Sequence, residues 1–401
     1  TTKYKDLLRI VDNYKVIADI DFSGDTPAHN LKLGRLVGVS GSGITIRNIT
    51  LSGSGKNLIA RLNSGISDLT FENCDISSSG KTCTGLVGVN NGSIKKCNFK
   101  NITITPLSNN TDEVGIIGHC NSGTYENVTL ENILINDRKR SSLSYVGGLA
   151  GRITDRSSFK NITANNITVF GTEYYVGGIV GYQNSGYVHQ SYSNANVIAQ
   201  KYAGGLIGMY CNEYTTTISN GKTNYSYALT GLYRNYFAGS VKASNGFAGG
   251  AIGRTGMLHR QATGNDGVLY SSRKKGVNAN CNEVDKTYGN FIIADAIYGG
   301  DGTTGAFASD DFDFTFNGRD NRVWDKTMLI SGDLSNRMYV AQIFNNGDYA
   351  YDYWTGLNAS GKPNESTPAK INEIQIFKSS DLDGSDWFNS FHNRAVVFYR
   401  T

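Results

Sequence analysis

The chain has 401 residues, of which 48 are glycine, 24 are tyrosine and 4 are proline, and 18% of its residues are charged. This composition is typical of a β-rich extracellular protein and excludes a helical or a disordered chain. The net charge of +4 is too small and too dispersed for a nucleic-acid-binding surface, and no apolar run is long enough to cross a membrane.

The chain begins with a lead-in segment, YKVIADIDFSG at 14–24, and then repeats one short unit. Each unit contains glycine, two aliphatic residues, a small residue that we call the anchor, a few polar residues and a turn. The anchors are 22 to 33 residues apart, with a last interval of 45 residues: Gly38, Ala60, Gly88, Gly118, Gly151, Gly181, Gly208 and Gly253. A unit of this length cannot bury its apolar residues alone, but stacked copies can form one continuous core.

A second pattern follows each of the first six anchors. It alternates apolar and polar residues and has asparagine at its bends, which predicts a strand, a corner and a second strand. The six segments are 44–51, 66–76, 94–104, 125–135, 159–169 and 188–198. Several asparagines match the N-glycosylation pattern, and we expect corner geometry to explain them better than glycans: Asn48, Asn101, Asn127, Asn161, Asn166 and Asn224.

These repeats predict an all-β fold, a parallel β-solenoid and specifically a right-handed β-helix. Seven or eight coils with strands about 4.8 Å apart would make a rod roughly 35 to 40 Å long. We expect residues 1–30 to form a lead-in or cap strand and residues 31–300 to form the β-helix. The composition changes after the segment 298–311, so residues 301–401 are predicted to form a separate β-rich module or cap.

The long interval before the last anchor contains an insertion at 211–239 that is rich in tyrosine and asparagine. Insertions in solenoids lie in loops on one face, which is often the binding face. We therefore consider Tyr225, Tyr227 and Tyr233 candidate binding residues. The alternative is a loop that only covers the side of the rod.

The predicted C-terminal module contains the segment GDYAYDYWTG at 347–356, and its strands are expected near 312–316, 322–330, 338–344, 371–377 and 395–400. Strand alternation places Tyr349, Tyr351 and Tyr353 on one face and Trp354 on the other. Tyrosine rings in line can stack on a sugar or on a partner protein. These residues are candidate binding residues, and the alternative is that they form the core of the module.

The motifs of common hydrolases are absent from the sequence. None of the five histidines belongs to an HExxH motif, and neither a GxSxG elbow nor a P-loop occurs. Paired aspartates are the remaining catalytic candidates, because β-helices of other families cleave polysaccharides with two acids. These candidates are Asp311, Asp313, Asp383 and Asp386, and the alternative for all four is a role in turns.

We expect neither a cofactor nor a metal. The run 379–387 resembles a calcium loop in its aspartate spacing but lacks the final glutamate. The six cysteines have no zinc-binding spacing, and Cys120 and Cys211 lie three repeats apart, too far for a disulfide. Most of the cysteines are therefore predicted to be buried thiols.

Four segments together resemble the GLUG-repeat proteins, a bacterial surface group: YKVIADIDFSG (14–24), ITIRNITLSG (44–53), GLVGVNNGSIKKC (85–97) and YVGGIVGYQNSGYVHQSYSNANVIA (175–199). Similar repeats form an accessory region of streptococcal IgA-cleaving metallopeptidases, whose catalytic motif this chain lacks. The resemblance covers roughly residues 10–260, although the lead-in lacks the family's usual Trp-Pro and DGNG elements. It implies a surface location and a repeat architecture, but no activity.

Two functions follow from these observations. The first is a non-enzymatic structural or adhesive protein, outside the cell or on a cell or virion surface, that binds a glycan or a host or cell-surface protein. The second is a bacteriophage tail spike or fibre, or a polysaccharide-degrading β-helix enzyme that uses the paired aspartates. A homo-oligomer is compatible with both, and a trimer is expected for a phage appendage.

Overall fold

Successive repeats of the chain stack as coils, and the strands of each coil pair in parallel with the equivalent strands of the next; the strands at 222–227 and 268–270 instead pair antiparallel. The structure is a computed structural model that describes residues 13–78, 83–107, 113–137, 144–172, 175–219, 222–227, 230–233 and 235–261, followed by short strands between residues 268 and 399. Within the described part every regular element is a β-strand, and 33 strands belong to one continuous sheet. This confirms the predicted β-solenoid.

The strands up to residue 204 are β1 (Asn13–Val16), β2 (Ile20–Asp21), β3 (Leu31–Gly38), β4 (Thr45–Gly53), β5 (Ile59–Ser67), β6 (Thr70–Ser78), β7 (Cys83–Thr84), β8 (Val87–Asn90), β9 (Ser93–Pro106), β10 (Glu113–Val114), β11 (Ile117–Cys120), β12 (Thr124–Asp137), β13 (Tyr145–Gly147), β14 (Ala150–Ile153), β15 (Ser158–Gly171), β16 (Tyr175–Gly177), β17 (Val180–Gln183), β18 (Gly186–His189), β19 (Tyr192–Ser193), β20 (Asn196–Ala199) and β21 (Tyr202–Gly204).

The strands that follow are β22 (Ile207–Ser219), β23 (Lys222–Tyr227), β24 (Thr230–Tyr233), β25 (Tyr236–Phe237), β26 (Ser240–Ala243), β27 (Phe247–Gln261), β28 (Val268–Tyr270), β29 (Thr287–Tyr288), β30 (Phe291–Ile292), β31 (Ala296–Gly299), β32 (Thr304–Phe307), β33 (Arg322–Val323), β34 (Ile374–Lys378) and β35 (Ala395–Tyr399).

One vertical column shows how the coils are aligned. Its members pair successively and are buried: Leu31, Ile59, Val87, Ile117, Ala150, Val180, Ile207 and Ile252. Each of the last seven immediately precedes a predicted anchor, so the anchors from Ala60 to Gly253 stack in register. The prediction for Gly38 was wrong, because Leu36 and Val37 pair with Ile66 and Ser67, in the strand that follows the column.

The long strands after the anchors supply most of the core. In β12 the buried residues Tyr125, Val128, Leu130, Ile133 and Ile135 point inward, and each pairs with the equivalent residue of β15. Aromatic rings stack between coils at the same position of this wall, with 5.5 Å between the ring centres of Phe71 and Phe99 and 4.2 Å between those of Tyr125 and Phe159. Such offset pairs add stability beyond the buried area.

Asparagine forms the corners of this wall, as predicted. Five asparagines in successive coils have a positive φ between 52° and 60° and donate side-chain hydrogen bonds from each coil to the one before: Asn48, Asn73, Asn101, Asn132 and Asn166. Asparagine tolerates the left-handed conformation better than other residues with a side chain. Asn127 and Asn161 make a second corner of the same kind, with φ of 56° and 54°.

The anchors lie where two short strands of neighbouring coils approach each other closely. A Cβ atom on Gly181 would lie 2.4 Å from the backbone nitrogen of Val146 and 2.6 Å from the carbonyl oxygen of Gly151, both in the preceding coil. Only glycine fits such an approach. Glycine therefore recurs before and after the aliphatic pair because the backbones of this corner are packed against one another.

Parallel pairing extends beyond the boundary predicted at residue 300. The strands β29, β30, β31 and β32 pair with β24, β25, β26 and β27, and so form a further coil that reaches Phe307. Near the C-terminus, β34 and β35 form a two-stranded parallel sheet. The positions of β34 and β35 agree with two of the five strands predicted there.

Among the described residues, no helix has the length and hydropathy that a membrane span requires.

The cysteines of the described part agree with the prediction of buried thiols. Cys74, Cys97, Cys120 and Cys211 are buried, Cys83 is half-buried, and none of the five forms a disulfide. Burial raises the pKa of Cys74, Cys97 and Cys120 to about 12. Cys281 lies outside the described residues.

Candidate functional site

Two adjacent columns of polar and aromatic side chains run along one side of the rod, outside the main core. The first contains the residues that begin the short strands before the aliphatic pair: Cys83, Glu113, Tyr145, Tyr175, Tyr202 and Phe247. The second contains the residues that follow the anchors: Val89, His119, Arg152, Tyr182, Met209 and Arg254. We call this surface the seam. The short strands before and after the aliphatic pair meet at a corner lined with glycine, which we call the glycine corner. Alternate residues of both strands point away from the core there and form the seam.

The seam begins with a buried carboxylate, Glu113, whose side chain is 8% exposed. The Cys83 thiol donates to Glu113 Oε2 over 3.0 Å, and His119 Nδ1 lies 2.9 Å from the same oxygen. Arg152 Nη1 donates to Glu113 Oε1 over 3.3 Å. We call Cys83, Glu113, His119 and Arg152 the Glu113 centre.

The environment of Glu113 favours its ionised form. Burial alone would raise its pKa, but the hydrogen bonds with His119 and Cys83 and the charge of Arg152 lower the pKa of Glu113 below its ordinary value. A buried carboxylate is tolerated only when it is paired and hydrogen-bonded in this way. The Glu113 carboxylate therefore stays ionised, with its charge balanced by the Arg152 guanidinium.

His119 is oriented by a second contact. Its Nε2 lies 3.0 Å from the Thr154 hydroxyl, and that hydroxyl lies 3.4 Å from both the Cys120 carbonyl and Asn121 Oδ1. The Thr154 hydroxyl can donate its one hydrogen to either of these oxygens and accept from His119 Nε2. This contact fixes the plane of the imidazole ring with Nδ1 directed at Glu113 Oε2.

Aromatic side chains continue the seam. Tyr145, Tyr175 and Tyr202 stack in one ladder, with centre-to-centre distances of 5.9 and 5.3 Å, and Tyr182 packs 4.6 Å from Tyr145. Tyr175, Tyr182, Met209 and Cys211 form a small buried cluster separate from the main core. Burial raises the pKa of Tyr175 and Tyr182, so both phenols stay protonated.

Two arginines lie over the rings of this ladder. The guanidinium of Arg152 lies 5.7 Å from the ring centre of Tyr145 and 5.5 Å from that of Tyr182, and the guanidinium of Arg254 lies 4.5 Å from that of Tyr202. Arg254 Nη1 also donates to the Tyr175 hydroxyl over 3.3 Å. Such cation–π contacts fix the arginines at the surface of the seam.

Where the seam ends, the chain leaves the rod as a β-hairpin. β22 continues from Met209 to Ser219 and pairs antiparallel with β23 as far as the pair Ser219 and Lys222. The two residues between them in the sequence are Asn220 and Gly221. Asn-Gly is the most favourable sequence for a two-residue hairpin turn.

The next coil repeats this departure. β27 pairs in parallel with β22 along residues 252–261 and antiparallel with β28, which gives a four-stranded sheet in the order β23, β22, β27, β28. We call this sheet the arm. Tyr214 is opposite Tyr227, and Thr216 is opposite Tyr225, so the three tyrosines occupy positions on one face of the arm.

The structure places only some of the predicted site residues. The predicted loop at 211–239 contains the hairpin, with Tyr225 and Tyr227 together in β23, whereas Tyr233 is in β24 of the rod and pairs with His189 and Tyr288. The other candidates lie outside the described residues: Tyr349, Tyr351, Tyr353, Trp354, Asp311, Asp313, Asp383 and Asp386.

Sequence reasoning missed the seam. The signal was present as the residue before each Val-Gly or Ala-Gly pair, which is glutamate at 113 and tyrosine at 145, 175 and 202. A second signal was the residue after each anchor, which is polar or aromatic in three successive repeats: His119, Arg152 and Tyr182. Polar and aromatic residues at fixed positions of a repeat indicate a second, outward-facing column.

Comparison with solved structures gives a structural neighbour. A crystal structure from Bacteroides ovatus, described as "a putative immunoglobulin A1 protease", superposes with a TM-score of 0.45 and 17% sequence identity, over 74% of this chain and 81% of that one. No protein-family model and no curated protein sequence matches the chain. The identity and the superposition are too low to transfer an activity to this chain.

Proposed function

We propose that this protein is a non-enzymatic, surface-exposed scaffold that binds a glycan through its arm. The observation that carries the proposal is the departure of two consecutive coils from the rod at the same place, as stacked hairpins. All other described coils turn back at this corner and continue the solenoid. An extension built into two successive repeats serves a purpose other than closing the core.

The rod makes a suitable support for such an arm. Its inner wall is paired strand to strand, so a ligand bound to the arm orders few additional residues, which lowers the entropic cost of binding. Three tyrosine positions on one face of the hairpin favour a sugar ligand, because tyrosine combines a large apolar ring with a polar hydroxyl. The resemblance to GLUG-repeat surface proteins supports the proposed location outside the cell.

The test is a glycan array probed with the full chain and with two matched double variants of the hairpin. Tyr225→Ser with Tyr227→Ser changes the tyrosine face, and Asn224→Ser with Ser226→Ala changes the opposite face of the same strand. We expect saturable binding of a glycan by the full chain, loss of at least about tenfold in affinity for the tyrosine variant, and unchanged binding for the control.

Two results would contradict the proposal. The full chain could show no saturable glycan, in which case the ligand class is wrong. Alternatively, the tyrosine variant could bind as well as the full chain while its circular dichroism is unchanged, in which case binding does not involve this face of the arm.

A further inference from the structure

The Glu113 centre gathers three side-chain atoms of the types that bind transition metals. The Sγ atom of Cys83, a carboxylate oxygen of Glu113 and a ring nitrogen of His119 all lie within 4.8 Å of one another. Thiolate, imidazole and carboxylate are the ligands that Zn²⁺ prefers in proteins, and three protein ligands with one open position is a common arrangement. We propose that Cys83, Glu113 and His119 bind a zinc-type divalent ion.

The distances in the centre suit this ion after a small adjustment. The ligand atoms of a tetrahedral zinc site are roughly 3.3 to 3.6 Å apart, given zinc–ligand distances of about 2.0 to 2.3 Å. Sγ and Nδ1 lie 3.0 and 2.9 Å from Glu113 Oε2. Moving both atoms about half an ångström away from Oε2, and bringing the thiol sulfur and the ring nitrogen from within 4.8 Å to that same spacing, would place all three atoms around one ion.

The fold brings the three ligands together from two coils. Cys83 pairs directly with Glu113 at the start of β7 and β10, and His119 lies across the glycine corner in β11. A Cβ atom on Gly118 would lie 2.6 Å from Cys83 Cβ, so glycine at 118 permits the cysteine to lie beside the histidine strand. The metal would therefore connect one coil to the next.

The groups around the ligands also fit a metal site. Thr154 can accept the hydrogen of His119 Nε2, which leaves Nδ1 to coordinate the ion, and Arg152 binds the carboxylate oxygen that does not face the thiol. Partners of this kind orient metal ligands and fix the histidine tautomer. Since the side chain of His119 is 18% exposed, the ion and a coordinating water have access from the His119 side of the centre.

Cobalt provides the test, because Co²⁺ occupies zinc sites and reports a thiolate ligand by its charge-transfer absorption. The full chain, treated with a chelator and then titrated with Co²⁺, should bind one equivalent with this absorption and release it to Zn²⁺. Cys83→Ser should lose the charge-transfer absorption. His119→Gln should weaken the affinity by at least about tenfold, and Thr154→Val by about 10- to 100-fold.

The matched control is His189→Gln, which changes another half-buried histidine of the rod and should bind cobalt as the unmodified chain does. Circular dichroism shows whether each variant is folded. The proposal is overturned if no saturable binding occurs, if the charge-transfer absorption persists in Cys83→Ser, or if folded His119→Gln binds with unchanged affinity.

Discussion

At the scale of single residues, asparagine allows the coils to turn without losing contact with their neighbours. The asparagines of the main corner adopt a left-handed conformation, and four of them carry an amide that both donates and accepts a hydrogen bond: Asn48, Asn73, Asn101 and Asn132. Glycine adopts the left-handed conformation but has no side-chain amide, and most other residues have neither property. The repeated Asn-x-Thr triplets are therefore a consequence of the fold.

Substitutions at Asn101 separate these two contributions. Asn101 has a φ of 53°, donates to Asn73 and accepts from Asn132. We expect Asn101→Ala to lower the free energy of unfolding by about 1–2 kcal/mol, because alanine is strained in this conformation and lacks the amide. Asn101→Gly should remain within about 0.5–1 kcal/mol of the unmodified chain, as measured by urea denaturation. An equal loss for both variants would show that the amide, and not the conformation, determines the cost.

The buried thiols give the protein a sensitivity to alkaline pH. Burial raises the pKa of Cys74, Cys97 and Cys120 to about 12, whereas a cysteine of the unfolded chain ionises near pH 8.5. The stabilisation of the neutral thiols is therefore complete below about pH 8.5 and is lost as the pH rises toward 12. We expect urea denaturation midpoints to fall over this range, and a thiol reagent at pH 9 to leave the three cysteines unmodified until the protein unfolds. Rapid labelling of any of the three in the native protein would contradict this.

At the scale of elements, the glycine corner explains why the repeat has its sequence. The short strands of neighbouring coils approach so closely that a methyl group on Gly181 would meet backbone atoms, which cannot rotate away as a side chain can. The aliphatic pair fills the core beside this contact. The same close approach directs the flanking residues outward, where they form the seam.

Gly181→Ala should therefore be one of the most damaging small substitutions in the rod. We expect it to lower the free energy of unfolding by about 3 kcal/mol or to prevent folding, because two coils must separate to admit the methyl group. Gly43→Ala is the matched control: Gly43 has a φ of +64°, but a methyl group there would have no atom within 4 Å. The control should lose only about 1 kcal/mol. If Gly181→Ala has a free energy of unfolding equal to or higher than that of Gly43→Ala, the backbones at this corner are not in close contact.

The sequence predicted the elements whose pattern repeats and missed those that occur once. The anchors from Ala60 onward and the asparagine corners recur, so their periodicity identified the fold. Gly38 was assigned to the wrong strand because the sequence GRLVG has the same pattern as the anchor unit. The pairing of Leu36 with Ile66 shows its true position. The hairpin was interpreted as a loop, although Asn220 and Gly221 between two alternating runs predict a turn.

The seam could not be located from periodicity alone. Its two columns are close only because the coil folds back at the glycines. As a result, His119, six residues after Glu113, and Cys83 of the previous coil both contact Glu113 Oε2. Contacts between coils depend on the register in which their strands pair, and a shift of one residue moves every side chain to the opposite face of the sheet. The recurring polar and aromatic positions indicate that such columns exist, but motif spacing does not show which side chains of neighbouring coils meet.

At the scale of the whole molecule, the solenoid is a linear array in which each coil contacts only its neighbours. The stability of such an array is approximately the sum of the coils and of the contacts between them. Since Thr124 pairs with Ser158, residues 124–157 make up one complete turn of the rod. Removing that turn should leave every remaining strand with an equivalent partner, because β11 and β17 both pair with β14.

Deletion of residues 124–157 should thus yield a folded, shorter rod. We expect a cooperative denaturation curve and a free energy of unfolding lower by about 2–5 kcal/mol, the contribution of one coil at about 0.05–0.15 kcal/mol per residue. The control is deletion of residues 124–158, which places Phe159 at the half-buried position of Thr124 and moves the following inward residues outward. This control should unfold or aggregate. If both deletions fold equally well, or if neither does, the coils are not interchangeable units, and the stability of the rod depends on contacts beyond nearest neighbours.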